Sequence, residues 1–270
     1  LLIRALLIHN AKYPANNSMS MTDKVTQMGF GAPSSVQEML YNSEDEITLI
    51  LRDTLEKGSF IEMFDFPFPE SLVDKDGNFV GQIIVTLVTK SLLDDKQAGE
   101  YCQSNIDILF GTYETETDRD TSKKGIKNPK GLEEPQNIVL ESLYSARVKG
   151  AHPFTGFERE CTLVKYGKKF HPVKKYAIDL SEMTTSNRQR YLRGDRKWYL
   201  KIEGLYRDFI EQDARARNYQ LSQEYCLLLT IRDPNGKAPV YDEVAQQLDY
   251  KNFLHHNIQL RNVVTIDGTL

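Results

Sequence analysis

From Ile47 onward, apolar and polar positions mostly alternate with a period of two. That is the signature of half-buried β-strands. Ile47, Leu49 and Leu51 alternate with Thr48 and Arg52. Residues 59–66 are aromatic and β-prone and are stopped by Pro67 and Pro69, and residues 80–88 are apolar enough for a central strand. Residues 105–113, 161–166 and 173–180 read the same way. The clearest alternation sets Trp198, Leu200 and Ile202 against Tyr199, Lys201 and Glu203. Residues 225–231 form a buried strand ended by Asp233-Pro234-Asn235-Gly236, and residues 256–265 are a last strand. Residues 241–248 suit one or two helical turns, and residues 111–136 a long polar loop.

Before Ile47 the pattern differs. Residues 1–11, LLIRALLIHNA, hold few polar positions and are good helix formers, so they predict a helix buried on most sides. Residues 12–27 are polar and loop-like. Gly29-Phe30-Gly31-Ala32-Pro33 then gives a tight turn into a short helix, with Val36, Met39 and Leu40 on one face. Eight or nine short strands with turn signals between them argue an antiparallel β-sandwich, jelly-roll-like, preceded by two short helices. A parallel α/β sheet would need intervening helices that the pattern lacks.

Composition adds bounds. The chain has 270 residues, 40% hydrophobic and 27% charged, which is globular. No apolar run approaches the ~18 residues of a membrane span, so no membrane association is expected. The three cysteines, Cys102, Cys161 and Cys226, are odd in number and set among apolar neighbours. Buried thiols in a reducing, cytoplasmic compartment are the expectation. Net charge is −4, but residues 1–120 hold 9 Lys and Arg against 20 Asp and Glu, while residues 121–270 hold 25 against 18.

That basic second half raises polyanion binding. The candidates are Lys165, Lys168, Lys169, Lys174 and Lys175, with Arg188, Arg190, Arg193, Arg196 and Lys197. Solvated strand edges account for such residues more simply, and the overall charge is negative, so nucleic acid is not an expected partner. Of the histidines, His9, His152, His171, His255 and His256, none has a positioned partner in the sequence. Asp94-Asp95, Asp118-Arg119-Asp120 and Glu133-Glu134 lack EF-hand spacing. There is no zinc spacing, phosphate loop, dinucleotide fingerprint or nucleophile elbow. The residues predict no catalytic, cofactor-binding or metal site, and no cofactor.

Two segments of the first forty residues carry a family likeness. Arg4-Ala5-Leu6-Leu7-Ile8-His9-Asn10-Ala11 and Met28-Gly29-Phe30-Gly31-Ala32-Pro33-Ser34 resemble the end of the catalytic domain in subtilisin-like serine proteases. There an apolar helix follows the nucleophile's helix, and a Gly-aromatic-Gly turn follows that. Residues 64–88, 98–114 and 168–180 are similar to the β-sandwich extension of some large bacterial subtilases. The resemblance implies that residues 1–42 are the last helices of a catalytic domain and residues 43–270 its C-terminal sandwich. Since Leu1 opens in mid-helix, the chain is expected to be a piece of a larger polypeptide. The family's Asp-Ser/Thr-Gly, His-Gly-Thr and Gly-Thr-Ser-x-Ala-x-Pro segments do not occur here, so no catalytic residue transfers and His9 is not the triad histidine.

The function so implied is that of a non-catalytic C-terminal domain of a serine endopeptidase, stabilising the protease domain or presenting its peptide substrates. Its partners are the upstream catalytic domain in the same polypeptide and those substrates. Residues 1–11 are expected to dock on the sandwich or to associate with the same helix of a second copy. The alternative is a free-standing sandwich that binds carbohydrate, peptide or nucleic acid.

Overall fold

The computed structural model describes residues 1–13, 19, 23, 27–36, 43–96, 101–114, 135–144, 156–159, 172–250 and 258–260, the segments 156–159 and 258–260 as backbone only. Among the described residues, ten strands form two antiparallel sheets. The larger sheet has the order β10-β1-β9-β3-β7-β6, where β1 is Glu46–Glu56, β3 Gln82–Thr89, β6 Gly156–Arg159, β7 Val173–Asp179, β9 Ser222–Arg232 and β10 Ile258–Leu260. The smaller has the order β2-β8-β4-β5, where β2 is Phe60–Phe66, β4 Ser104–Tyr113, β5 Gln136–Asn137 and β8 Lys197–Tyr206. The protein is a mainly β, sandwich-like fold, as the alternating pattern predicts.

The period of two explains the packing. Ile47, Leu49 and Leu51 of β1, Ile83, Val85 and Leu87 of β3, and Leu227, Leu229 and Ile231 of β9 all point inward. They meet Ile106, Ile108 and Phe110 of β4 and Trp198, Leu200 and Ile202 of β8 in one continuous core. Full burial of each such side chain is worth roughly 1.5–3 kcal/mol. Across the interior Lys174, on β7, donates to the Ile106 carbonyl and to Asp107, both at 2.9 Å. That ties the two sheets together where a lysine at a solvated edge was expected.

Four helices are described: α1 (Leu2–His9), α2 (Thr185–Tyr191), α3 (Asp208–Arg217) and α4 (Val240–Tyr250). None is long and apolar enough to cross a membrane. α4 puts Val240, Val244 and Leu248 on the core, and its Gln247 side chain exchanges two hydrogen bonds with the backbone of Phe68. It is longer than the one or two turns expected. α2 and α3 were not expected at all. Their sequences, TSNRQRY and DFIEQDARAR, have no apolar stripe, and α3 relies on pairs four residues apart, Glu211 with Arg215 and Asp213 with Arg217.

β2 is the outermost strand of the smaller sheet, with β8 as its ladder partner. Its register slips between Phe64 and Phe66, and Asp65 at that point takes φ +53. This is a β-bulge.

Two aspartates organise the turns. Asp74 accepts from the N–H groups of Asp76 and Asn78 and pairs with Arg188 at 2.6 Å. Asp233 accepts from the N–H groups of Asn235, Lys237 and Ala238 just before α4. Partial burial pushes both carboxyls up, but these hydrogen bonds, with Arg188 at Asp74, outweigh it and hold both below the usual range. A folded-state pKa below the unfolded value stabilises the fold above about pH 4 and is lost as pH falls further. The Asp74→Asn, Asp233→Asn double variant is therefore expected to melt lower than wild type at pH 7, with the gap narrowing below pH 4. Calorimetric Tm across pH 2.5–7 checks it; a gap independent of pH would refute the assignment.

Candidate functional site

The outer face of the larger sheet carries two rows of side chains. One is apolar: Ile50, Leu228, Cys226, Val88 and Val173. The other is polar. Thr48 lies opposite Thr230, and Thr86 lies opposite Lys175. Each threonine stands on the outward-facing phase of its strand.

Helix α1 lies across both rows with matching polarity. Ala5 is fully buried on the apolar row, and Leu1, Leu2, Leu6, Ile8 and Phe30 pack around it. At the C-terminal end of α1, His9 is 4% exposed and hydrogen-bonded through Nδ1 to Thr86 Oγ1 at 2.9 Å and through Nε2 to Thr230 Oγ1 at 2.7 Å. Thr230 is in turn bonded to Thr48 at 2.6 Å. Lys175 reaches up from β7 and donates to the carbonyls of Ile8, at 2.9 Å, and Ala11, at 2.6 Å. The last carbonyls of a helix lack partners within it and carry partial negative charge, so a buried ammonium there satisfies both needs. The helix is not apolar-covered all round: Ile3 is 76% and Leu7 42% exposed, and with Arg4 they make an outward face.

A bracket fixes the chain beyond α1. Lys12 and Ala32 pair through two backbone hydrogen bonds of 2.9 and 3.0 Å. Ser34 donates to the Asn10 carbonyl and Tyr13 to that of Gly29. Gly31 sits at φ +92, and a Cβ there would lie 2.5 Å from the Lys12 oxygen. Only glycine combines that φ with so close an approach.

Beside the joint is a cleft of about 370 Å³ whose lining includes His9, Ser34, Ser43, Asp45, Glu46 and Arg232. Thr230, His9 and Thr86 stand in the order nucleophile, base, orienter, but they lack what acyl transfer needs. The orienting group is a neutral hydroxyl, which offers no charge to an imidazolium. Thr230 is 3% exposed, in mid-strand, with both flanking strands paired to it. The arrangement is suited to locking a helix in register. Burial pushes the Cys226 thiol beneath it up to about 11, against the opposing charge of Arg52. A thiol so protonated is a poor nucleophile at neutral pH.

Of the polyanion candidates, Arg188 and Arg193 line one cleft, but the described ones are mostly buried or set against acidic or aromatic side chains. Lys174 and Lys175 are buried, and Arg188 pairs with Asp74. Arg193 pairs with Glu114 and Asp195, and Arg196 with Glu114. Arg190 stacks on Tyr191, and Lys197 lies 3.8 Å from Asp65. Lys165, Lys168 and Lys169 lie outside the described residues, as do His152, His171, His255, His256 and Cys161. Asp94 accepts from the Lys96 N–H in a local turn. Among the described residues no three His, Cys, Asp or Glu side chains could hold a metal ion together. Comparison with protein-family models, curated proteins and solved structures finds no match.

Proposed function

We propose that this chain is the C-terminal region of a subtilisin-like serine endopeptidase and that its sandwich buttresses the catalytic domain through α1. One observation carries the reading. The two segments that resemble the family, Arg4–Ala11 and Met28–Ser34, are bonded to each other by Ser34 donating to the Asn10 carbonyl, next to the Lys12–Ala32 bracket, and the bracket explains why the second must carry glycine at Gly31. The sandwich grips the same helix through His9 and Lys175. The outward face of Ile3 and Leu7 is then available to the catalytic domain. The parent would cleave peptide bonds by Ser-His-Asp acyl transfer with residues outside this chain. The buried thiols Cys102 and Cys226 suit a cytoplasmic setting.

A fluorophosphonate probe tests this. The polypeptide encoded by the complete reading frame is expected to be labelled on one serine and to cleave casein. Residues 1–270 alone are expected to do neither, since loss of triad members costs about 10⁴ to 10⁶ in turnover. An unlabelled, inactive full-length product would sink the protease reading and favour a free-standing binding module.

A further inference from the structure

We propose that Asn235 is a site of spontaneous covalent modification, losing its amide to the neighbouring Gly236 nitrogen, and that the product loosens the seat of α4. Asn235-Gly236 is the single Asn-Gly pair in the sequence, and both residues are exposed in the turn after β9. The Gly236 backbone nitrogen attacks Cγ of Asn235. The new N–C bond closes a five-membered succinimide, and Nδ2 leaves as ammonia, taking the proton of the Gly236 N–H. Water then opens the ring at either carbonyl, giving aspartate or isoaspartate. A side chain on the following residue hinders this attack, and glycine has none.

The turn leaves this nitrogen less restrained than its neighbours. The Asp233 carboxylate accepts from the N–H groups of Asn235, Lys237 and Ala238 at 2.9, 2.9 and 3.0 Å. It skips that of Gly236, which bonds to the Asp233 carbonyl at 3.2 Å. Gly236 takes φ +61, and a Cβ there would meet nothing closer than Asp45 Oδ2 at 3.9 Å, so the approach is open. The other described asparagines lack this combination. Asn78 and Asn105 are buried, and Asn10, Asn137, Asn187 and Asn218 precede residues that carry side chains.

The modification replaces a neutral amide with a charge. Against the burial that raises it, the Asn235 amide is one of the groups that hold the Asp233 carboxyl ionised, and a carboxylate in its place repels it. Isoaspartate also lengthens the main chain just before α4. This turn is stapled to the start of β1, by the Asp233 N–H on the Asp45 carbonyl at 2.9 Å and the Tyr241 N–H on that of Glu44 at 3.0 Å. A loosened turn therefore reaches Val240, Val244 and Leu248 in the core.

The test is to age the protein at pH 8.5 and 37 °C and follow the tryptic peptide 233–237 by mass spectrometry, with isoaspartyl methyltransferase to separate the two acids. Conversion at Asn235 is expected to outrun that at Asn187 and Asn218 at least tenfold, and Gly236→Ala to slow it at least tenfold. The comparison within wild type decides the matter should Gly236→Ala fail to fold. Aged wild type is expected to melt about 2–4 °C lower than fresh, while Asn235→Gln aged alongside keeps its Tm. Conversion at Asn235 no faster than at Asn218, or unchanged by Gly236→Ala, would overturn the site. An aged wild type that melts like the fresh protein would overturn its effect on α4.

Discussion

Replacing Trp198 with alanine is expected to cost about 3–5 kcal/mol, enough to leave a protein of ordinary stability largely unfolded near its former midpoint. Trp198 is 2% exposed and stands in a cluster of aromatic rings from β8, β4 and the connection between β2 and β3. Phe68 stacks on it at 4.0 Å with a 10° interplanar angle, Phe110 lies at 5.1 Å and 28°, and Phe79 meets it edge-on at 5.3 Å. Alanine would leave a void between three rings whose backbones are held elsewhere, Phe110 in β4, Phe68 by Gln247 and Phe79 by the Leu192 carbonyl, so little collapse can fill it. Phenylalanine at the same place is a different experiment. The indole N–H is buried without a partner, so Trp198→Phe loses volume but also removes an unsatisfied donor, and a cost below about 1.5 kcal/mol is expected. Urea denaturation followed by circular dichroism separates the two. Equal losses would show that the ring cluster is not where the sandwich is anchored.

The second large effect is expected from Gly111→Ala. A Cβ at Gly111 would fall 1.7 Å from the backbone oxygen of Gln136 and 2.7 Å from its carbonyl carbon. No rotamer relieves a clash with backbone, so β5 must leave β4. It would take along Ile138 and Val139, both buried, and the hydrogen bond from the Ile138 N–H to Phe110. The expected loss is about 3 kcal/mol, the upper end of what overpacking costs. Limited proteolysis should then nick the chain near residues 135–140 before the core strands. A variant as stable and as resistant as wild type would refute the close approach.

The strands were legible because burial of one face writes itself into the sequence at every second position. β1, β2, β3, β4, β7, β8 and β9 lie where alternation or a short apolar run places them. α2 and α3 were not, because a helix held by charge pairs and a local turn leaves no apolar stripe to read. The joint under α1 was half legible. His9 drew notice as a residue type, but its partners are threonines, which in a strand look like ordinary β-formers. The signal was their placement: Thr48, Thr230 and Thr86 stand on three neighbouring strands, on the phase opposite the core. Lys174 and Lys175 misled for a related reason. Adjacent residues of a strand face opposite ways, so one ammonium spans the sheets and the other caps a helix, and no property of the residue type says so.

The bulge at Asp65 has a consequence for how copies of this protein behave toward one another. An outermost strand with apolar residues at Phe60, Ile61, Met63 and Phe64 is a template onto which a strand of a neighbouring molecule could extend the sheet. Straight pairing with β8 runs for only five residues, Phe60 to Phe64, before Asp65 turns the backbone into the left-handed region and breaks the pleat. Pro67, two residues on, has no N–H to offer. A newcomer strand could therefore find five residues in line and no more, too short a run to seed a growing stack. The kink that spoils one ladder inside the molecule is what discourages ladders between molecules.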